Sequence, residues 1–400
     1  MACDETEAAA VISAGPFGRH ELPYGVFTAA DLKGPRIGVA VGDQVLDLAG
    51  FFDSAVFARP SLNAFMAQGP SAWTSTRERV RDALESARSA ARTDPFLVSQ
   101  SDVVMHLPFE VADFVDFYSS IQHATNASQI LRPGQELIRP NWRQQPVGYH
   151  GRAGTVVVSG LPVRRPHGQI VEGSGSVLAP TKKLDVEAEI GFVVGAPTRL
   201  GNQMPIGHFA DHVFGAVLLL DWSARDIQSF EAVPLGPFLG KSFATTISPW
   251  VLPLEALSGA RVPAPQQDPL PPDYLRSSDS WALDVRLELA VNGCVVSRPR
   301  FDSMYWTAAQ QLAHLTVNGA ALRTGDLFGS GTVSDEQEFG SFLELSWDGE
   351  RPLQLPDGSV RSYLDDGDIV TLTASAPDAE GGQVSFGAAS GAIASARLEH

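Results

Sequence analysis

The sequence predicts a sheet-rich α+β fold, and three observations predict it. Short apolar runs alternate with turns along most of the chain. Gly 37 and Pro 28 in 400 residues supply those turns. No sustained heptad pattern points to a helical bundle. A hydrophobic fraction of 44% permits a sizeable core, and the length fits one large domain beside a smaller one.

Taken in order, residues 1–15 are small and polar and are expected to form a disordered tail. Residues 22–27 and 37–48 read as short strands, with Gly42 and Asp43 turning the chain between two of them. A helix is expected around Leu62, Phe65 and Met66. Another is expected over 75–90, where Val80, Leu84 and Ala87 recur at helical spacing. Residues 16–107 thus form a small β-rich N-terminal domain with helices, poor in catalytic residue types. From Pro108 the texture changes. Strands are expected over 155–158, 187–194, 213–220, 283–291, 343–347 and 369–373. A helix is expected over 305–315, with Trp306, Ala309, Leu312 and Ala313 on one face. The proline-rich stretch 263–274 reads as a surface loop. Residues 108–397 make the second domain, and 398–400 read as the start of a purification tag.

Charge narrows the partners. A net charge of −17 and a pI near 4.9 repel nucleic acid. No run of about 18 apolar residues provides a membrane span, and the acidic start lacks the basic segment of a secretory signal. Cys3 and Cys294 are too few for thiolate zinc and fit a reducing cytoplasm.

The chemistry-bearing residues lie inside apolar segments. Asp116, Tyr118 and His123 fall within eight residues: a hard metal ligand, a phenol and a general-base type. Glu187 and Glu189 are two apart on an expected strand, so both carboxylates point the same way and need a cation or proton between them. A solvent-facing strand edge would give the same pattern. Asp221 ends the apolar run 213–220, as a site residue or as the cap of a following helix. Arg225 and Gln228 follow at helical spacing from it and suit a developing oxyanion. Lys241, with Ser242, Thr245 and Thr246, follows a Pro/Gly-rich approach. Pro237 and the missing first glycine exclude a phosphate loop there. Glu344 is a lone carboxylate in an expected apolar strand and needs a partner. Paired with His123 it would orient a general base. Hard oxygen ligands suit Mg²⁺ or Ca²⁺.

In this order, residues 116–126, 146–152, 221–228, 233–246, 304–306 and 343–347 resemble the fumarylacetoacetase family, and residues 22–27 and 35–47 resemble its front domain. The resemblance spans nearly the whole chain. It implies an SH3-like N-terminal domain joined to a mixed β-roll catalytic domain. It implies a cytoplasmic homodimer that hydrolyses the C–C bond of 4-fumarylacetoacetate, a small diketo acid, in tyrosine and phenylalanine catabolism. The family's metal positions fall on Asp116, Glu187, Glu189 and Asp221, with Lys241 and Thr245. Its catalytic positions fall on His123, Glu344, Arg225, Gln228 and Lys241. Its substrate contacts fall on Tyr118, Arg132, Tyr149, Gln228 and Thr332. Ala232 replaces a family tyrosine, and Ala244 a glycine. The competing readings are an acylpyruvate hydrolase or decarboxylase of the same superfamily, and a cation-binding scaffold without catalysis.

Overall fold

Strands Leu184–Val194 and Val213–Ala224 form the spine of the structure. They run antiparallel, with Glu187 opposite Asp221. The computed structural model describes residues 17–85 and 93–397. The expected tail, the end of the predicted 75–90 helix and the last three residues lie outside them.

Every residue of both spine strands is buried, so side chains alternate between two filled faces rather than between core and water. On one face Val186, Ala188, Ile190 and Phe192 join Leu218, Leu220 and Trp222 in the main core. Val370, Leu372 and Ala389 complete that core from a second sheet of five strands. On the other face Val193, Val217 and Leu219 pack against Tyr24, Val26, Phe65 and Leu327. Toward the opposite end of this face stand Asp185, Glu187, Glu189 and Asp221. Its apolar half anchors the front domain and its polar half builds the site.

Strand Trp250–Pro253 pairs with Val213–Ala224 on one side and with Tyr24–Ala29 on the other. The front strands therefore extend the catalytic sheet, which reaches 13 strands with no closed barrel. Tyr24, Phe65 and Phe214 pack in tilted and edge-to-face contacts across the junction at centroid distances of 5.4 to 5.8 Å. On the far side Asp326–Gly329 pairs with the spine and lies parallel to Asp113–Phe117. That placement puts Asp116 beside Gly329.

The sheet-rich α+β class is as expected; several elements differ. Segment 283–291 is two strands, Trp281–Leu283 and Arg286–Val291. The 305–315 helix is Ala308–Thr316, started by a capping box between Thr307 and Gln310, so Trp306 precedes it. The strand expected over 213–220 runs on to Ala224, and helix Arg225–Glu231 begins only there. Asp221 thus shares no helical face with Arg225 and Gln228. Segment 343–347 is not a strand: Phe342–Leu345 is a helical turn capped by the Ser341 side chain. No helix among the described residues is long and apolar enough to cross a membrane.

Candidate active site

Three strands deliver four carboxylates to one point. Asp116, Glu187, Glu189 and Asp221 each place an oxygen within 4.8 Å of the others, and all four are buried. Glu187, Glu189 and Asp221 come from the polar half of the spine, and Asp116 from strand Asp113–Phe117, separated from the spine by Asp326–Gly329. Gly329 makes the approach possible, because a Cβ there would sit 2.6 Å from Glu189 Oε2 and 2.9 Å from Asp116 Oδ1. Any side chain would fill the space between the carboxylates.

Cationic groups compensate part of this charge. Lys241 Nζ donates to Glu187 Oε2 at 2.5 Å and to Asp221 Oδ2 at 2.6 Å. Arg225 Nη2 donates to Glu187 Oε1 at 2.7 Å, and its Nη1 to Gln228 Oε1 at 3.1 Å. Thr245 Oγ1 and Tyr149 Oη donate to the two oxygens of Asp221, each at 3.2 Å. Burial works to raise Glu187, but Lys241, Arg225 and His123 outweigh it and hold its carboxyl well below the usual range. Burial and the Asp221 charge push Asp116 up, and burial and the Asp116 charge push Glu189 up. Burial opposes charge on Lys241, yet Asp221 and Glu187 overcome it and keep the ammonium charged.

This donor set fits a hard divalent cation. Buried Asp116 Oδ1 and Glu189 Oε1 have no hydrogen-bond partner among the described residues, a cost that a cation between them would remove. Lys241, assigned to the ligand set by resemblance, does not belong in it. A charged ammonium has three donors and no lone pair, so it acts as a counter-charge. Thr245 orients Asp221 and keeps lone pairs of its own.

His123 Nδ1 lies 2.6 Å from Glu344 Oε2, and both residues are buried. His123 stands in helix Ile121–Leu131, whose cap Ser120 accepts its N–H. Ser334 Oγ and Ser341 Oγ also donate to Glu344 Oε2, at 2.9 and 2.8 Å, and Asn126 Nδ2 donates to Oε1 at 3.0 Å. Burial alone would raise Glu344; His123 and these donors hold it ionised, below its usual value. A carboxylate accepting from Nδ1–H leaves the lone pair on Nε2, which lies 3.2 Å from Thr332 Oγ1 and 3.7 Å from Glu187 Oε1.

A cleft of about 370 Å³ joins these groups. Asp116, Tyr118, His123, Tyr149, Glu187, Arg225, Gln228, Lys241 and Thr332 line it, with Leu235, Gly236 and Pro237 at its mouth. Arg132 is absent from the lining, and its guanidinium donates back to Ser128 Oγ at 2.9 Å. Ala232, at the end of helix Arg225–Glu231, does not line the cleft either.

Sequence reasoning missed Asp185, Gly329, Ser334 and Ser341. Asp185 had a signal: it precedes Glu187 by two, so the same alternation that pairs Glu187 with Glu189 adds Asp185 to their face. The serines act through a folded loop that no local pattern reveals.

Proton linkage follows from the raised carboxyls. Without a cation, Asp116 and Glu189 keep protons to higher pH than free carboxyls do, and a bound dication expels them. Calorimetric titration with Mg²⁺ in two buffers of different ionisation enthalpy should show net proton release and affinity that rises with pH. Heats independent of buffer would contradict this.

The comparisons with known proteins agree with this geometry. The family model for the fumarylacetoacetate (FAA) hydrolase C-terminal domain matches residues 112–388, and that for the fumarylacetoacetase N-terminal domain matches 20–108. The human fumarylacetoacetase is 45% identical over 407 residues, covering 96% of this chain and 97% of its own. That of Caenorhabditis elegans is 45% identical over 404 residues, covering 94% and 96%. Among solved structures, a fumarylacetoacetate hydrolase from psychrophilic Exiguobacterium antarcticum shares the fold with a TM-score of 0.55 at 17% identity, covering 94% of this chain and 99% of its own. Two family models together spanning most of the chain, and relatives this similar over their full length, show that the chain belongs to the fumarylacetoacetase family.

Proposed function

We propose that the protein hydrolyses 4-fumarylacetoacetate to fumarate and acetoacetate, in tyrosine and phenylalanine catabolism. One observation carries this reading beside the family membership: His123, hydrogen-bonded to Glu344, lines one cleft together with Asp116 and Glu187 of the four-carboxylate cluster. The cleft asks for a cation and a general base at once.

Hydrolysis of a carbon–carbon bond needs a leaving carbanion that can be held, and a 1,3-diketone supplies one as an enolate. Asp116, Glu187, Glu189 and Asp221 would hold a divalent cation, Mg²⁺ or Ca²⁺. Bound there, the cation supplies Lewis-acid polarisation of a carbonyl and stabilises enolate charge. His123 Nε2 takes a proton from water, and Glu344 stabilises the imidazolium that results. The hydroxide oxygen bonds to the carbonyl carbon, the adjacent C–C bond breaks, and its electron pair leaves on the acetoacetate fragment. A proton then returns to that carbon. Arg225, Lys241 and the Gln228 amide offer donors to the oxyanions formed on the way. Tyr118 and Tyr149 stay neutral, since burial raises both phenols; Tyr118 can donate a hydrogen bond to a substrate oxygen, and Tyr149 can do so on leaving Asp221. Thr332 and Arg132 are the remaining substrate contacts implied by resemblance; Thr332 lines the cleft, whereas Arg132 could reach the substrate only by leaving Ser128.

Loss of diketone absorbance measures turnover. EDTA should abolish it and Mg²⁺ or Mn²⁺ should restore it. His123→Ala should lower kcat by about 10²–10⁴-fold with cation affinity retained. Full activity in protein shown by elemental analysis to be metal-free would refute the cation, and near-wild-type turnover in both His123→Ala and Glu344→Gln would refute the dyad.

The same reading makes the protein a cytoplasmic homodimer. Val233 at 85%, Leu235 at 97% and Phe238 at 66% exposure place bare apolar side chains beside the cleft mouth, which supports a covering partner copy. Sedimentation equilibrium should give twice the chain mass; the single-chain mass at micromolar concentration would refute the dimer.

A further inference from the structure

We infer that Asp185 is a positioning residue that aligns Arg225 and the Glu344 helical turn as one unit; this rests on the hydrolase reading above. Asp185 is completely buried and belongs neither to the cleft lining nor to the carboxylate cluster. Its two oxygens nevertheless serve both sides of the site. Oδ2 accepts from Arg225 Nε at 2.7 Å and from the Leu343 N–H at 3.0 Å. Oδ1 accepts from the Phe342 N–H and the Val186 N–H, each at 2.7 Å.

Phe342 and Leu343 open the turn Phe342–Leu345. Their N–H groups have no acceptor within the turn, and a turn of four residues has little stability of its own. Asp185 supplies the acceptor from another strand. Two residues into the turn stands Glu344, which holds His123. From the same Asp185 carboxylate the guanidinium of Arg225 extends to Glu187 and Gln228. One carboxylate thus fixes the support of the base and the orientation of the oxyanion donor, which come from segments more than a hundred residues apart.

The chemistry of the group is specific. A carboxylate offers acceptors only, and four donors converge on it. An amide of the same shape turns an NH₂ toward one pair of those donors and must release one arm. A longer glutamate does not fit a fully buried site made for the shorter chain.

Asp185→Asn and Asp185→Ala test this in the full-length protein with its cation. The expected kcat loss is about 10–100-fold, typical of groups that orient reacting residues, with a much smaller change in KM. Combined with Glu344→Gln, Asp185→Asn should cost at least threefold less than the product of the two single losses, because both act through the same unit. Losses that multiply, or an unchanged kcat, would overturn the inference. Hydrogen exchange gives a readout independent of activity. The Phe342 and Leu343 amides should lose protection in either variant while the spine strands keep theirs, and unchanged protection would overturn the inference. If the wild type fails to hydrolyse fumarylacetoacetate while these amides respond as expected, the functional reading fails and the structural link stands.

Discussion

Everything in the site follows from burying four carboxylates within 4.8 Å of one another. Two unit charges at such a distance repel by roughly 3–4 kcal/mol at an effective dielectric near 20, and burial adds a desolvation penalty for each. The protein answers with Lys241 and Arg225, and Arg225 is shared with Asp185. Negative charge still exceeds positive. Burial first, and then that excess, raises the Asp116 and Glu189 carboxyls, and a divalent cation would discharge it. The cluster could thus hold a metal ion.

The fold makes this cluster possible by burying both faces of a two-stranded spine. One face is apolar throughout and joins the two sheets. The other is apolar where it meets the front domain and polar where it meets the cleft. The front domain carries none of the proposed catalytic side chains. Its strands continue the catalytic sheet through Trp250–Pro253, so it stiffens the frame from which Asp221 projects. A site built on strand positions holds its side chains more precisely than one built on loops.

Much of this was legible in the sequence. The spine strands announced themselves as long apolar runs, and alternation alone put Glu187 and Glu189 on one face. Asp221 stood out because a carboxylate at the end of such a run has no ordinary surface role. Three features resisted. The 342–347 segment alternates apolar and polar residues like a strand, but Ser341 and Asp185 cap it as a helical turn, and Asp185 is 157 positions distant from Phe342. The spacing of Asp221, Arg225 and Gln228 mimicked one helical face, whereas the strand continues through Ala224 because Trp222 and Ser223 are buried within it. Gly329 carried no local sign of its role, since only the fold shows which oxygens a side chain would strike. In each case the deciding partner lies far along the chain.

The central claim is that these four carboxylates, with Lys241 as counter-charge, bind one divalent cation. Crystals grown with Mn²⁺ and measured at the manganese absorption edge test it most directly. The account predicts one strong anomalous peak coordinated by oxygens of Asp116, Glu187, Glu189 and Asp221, with the Lys241 ammonium outside the coordination sphere. A cluster without anomalous density at saturating Mn²⁺, or a peak held by other residues, would contradict it.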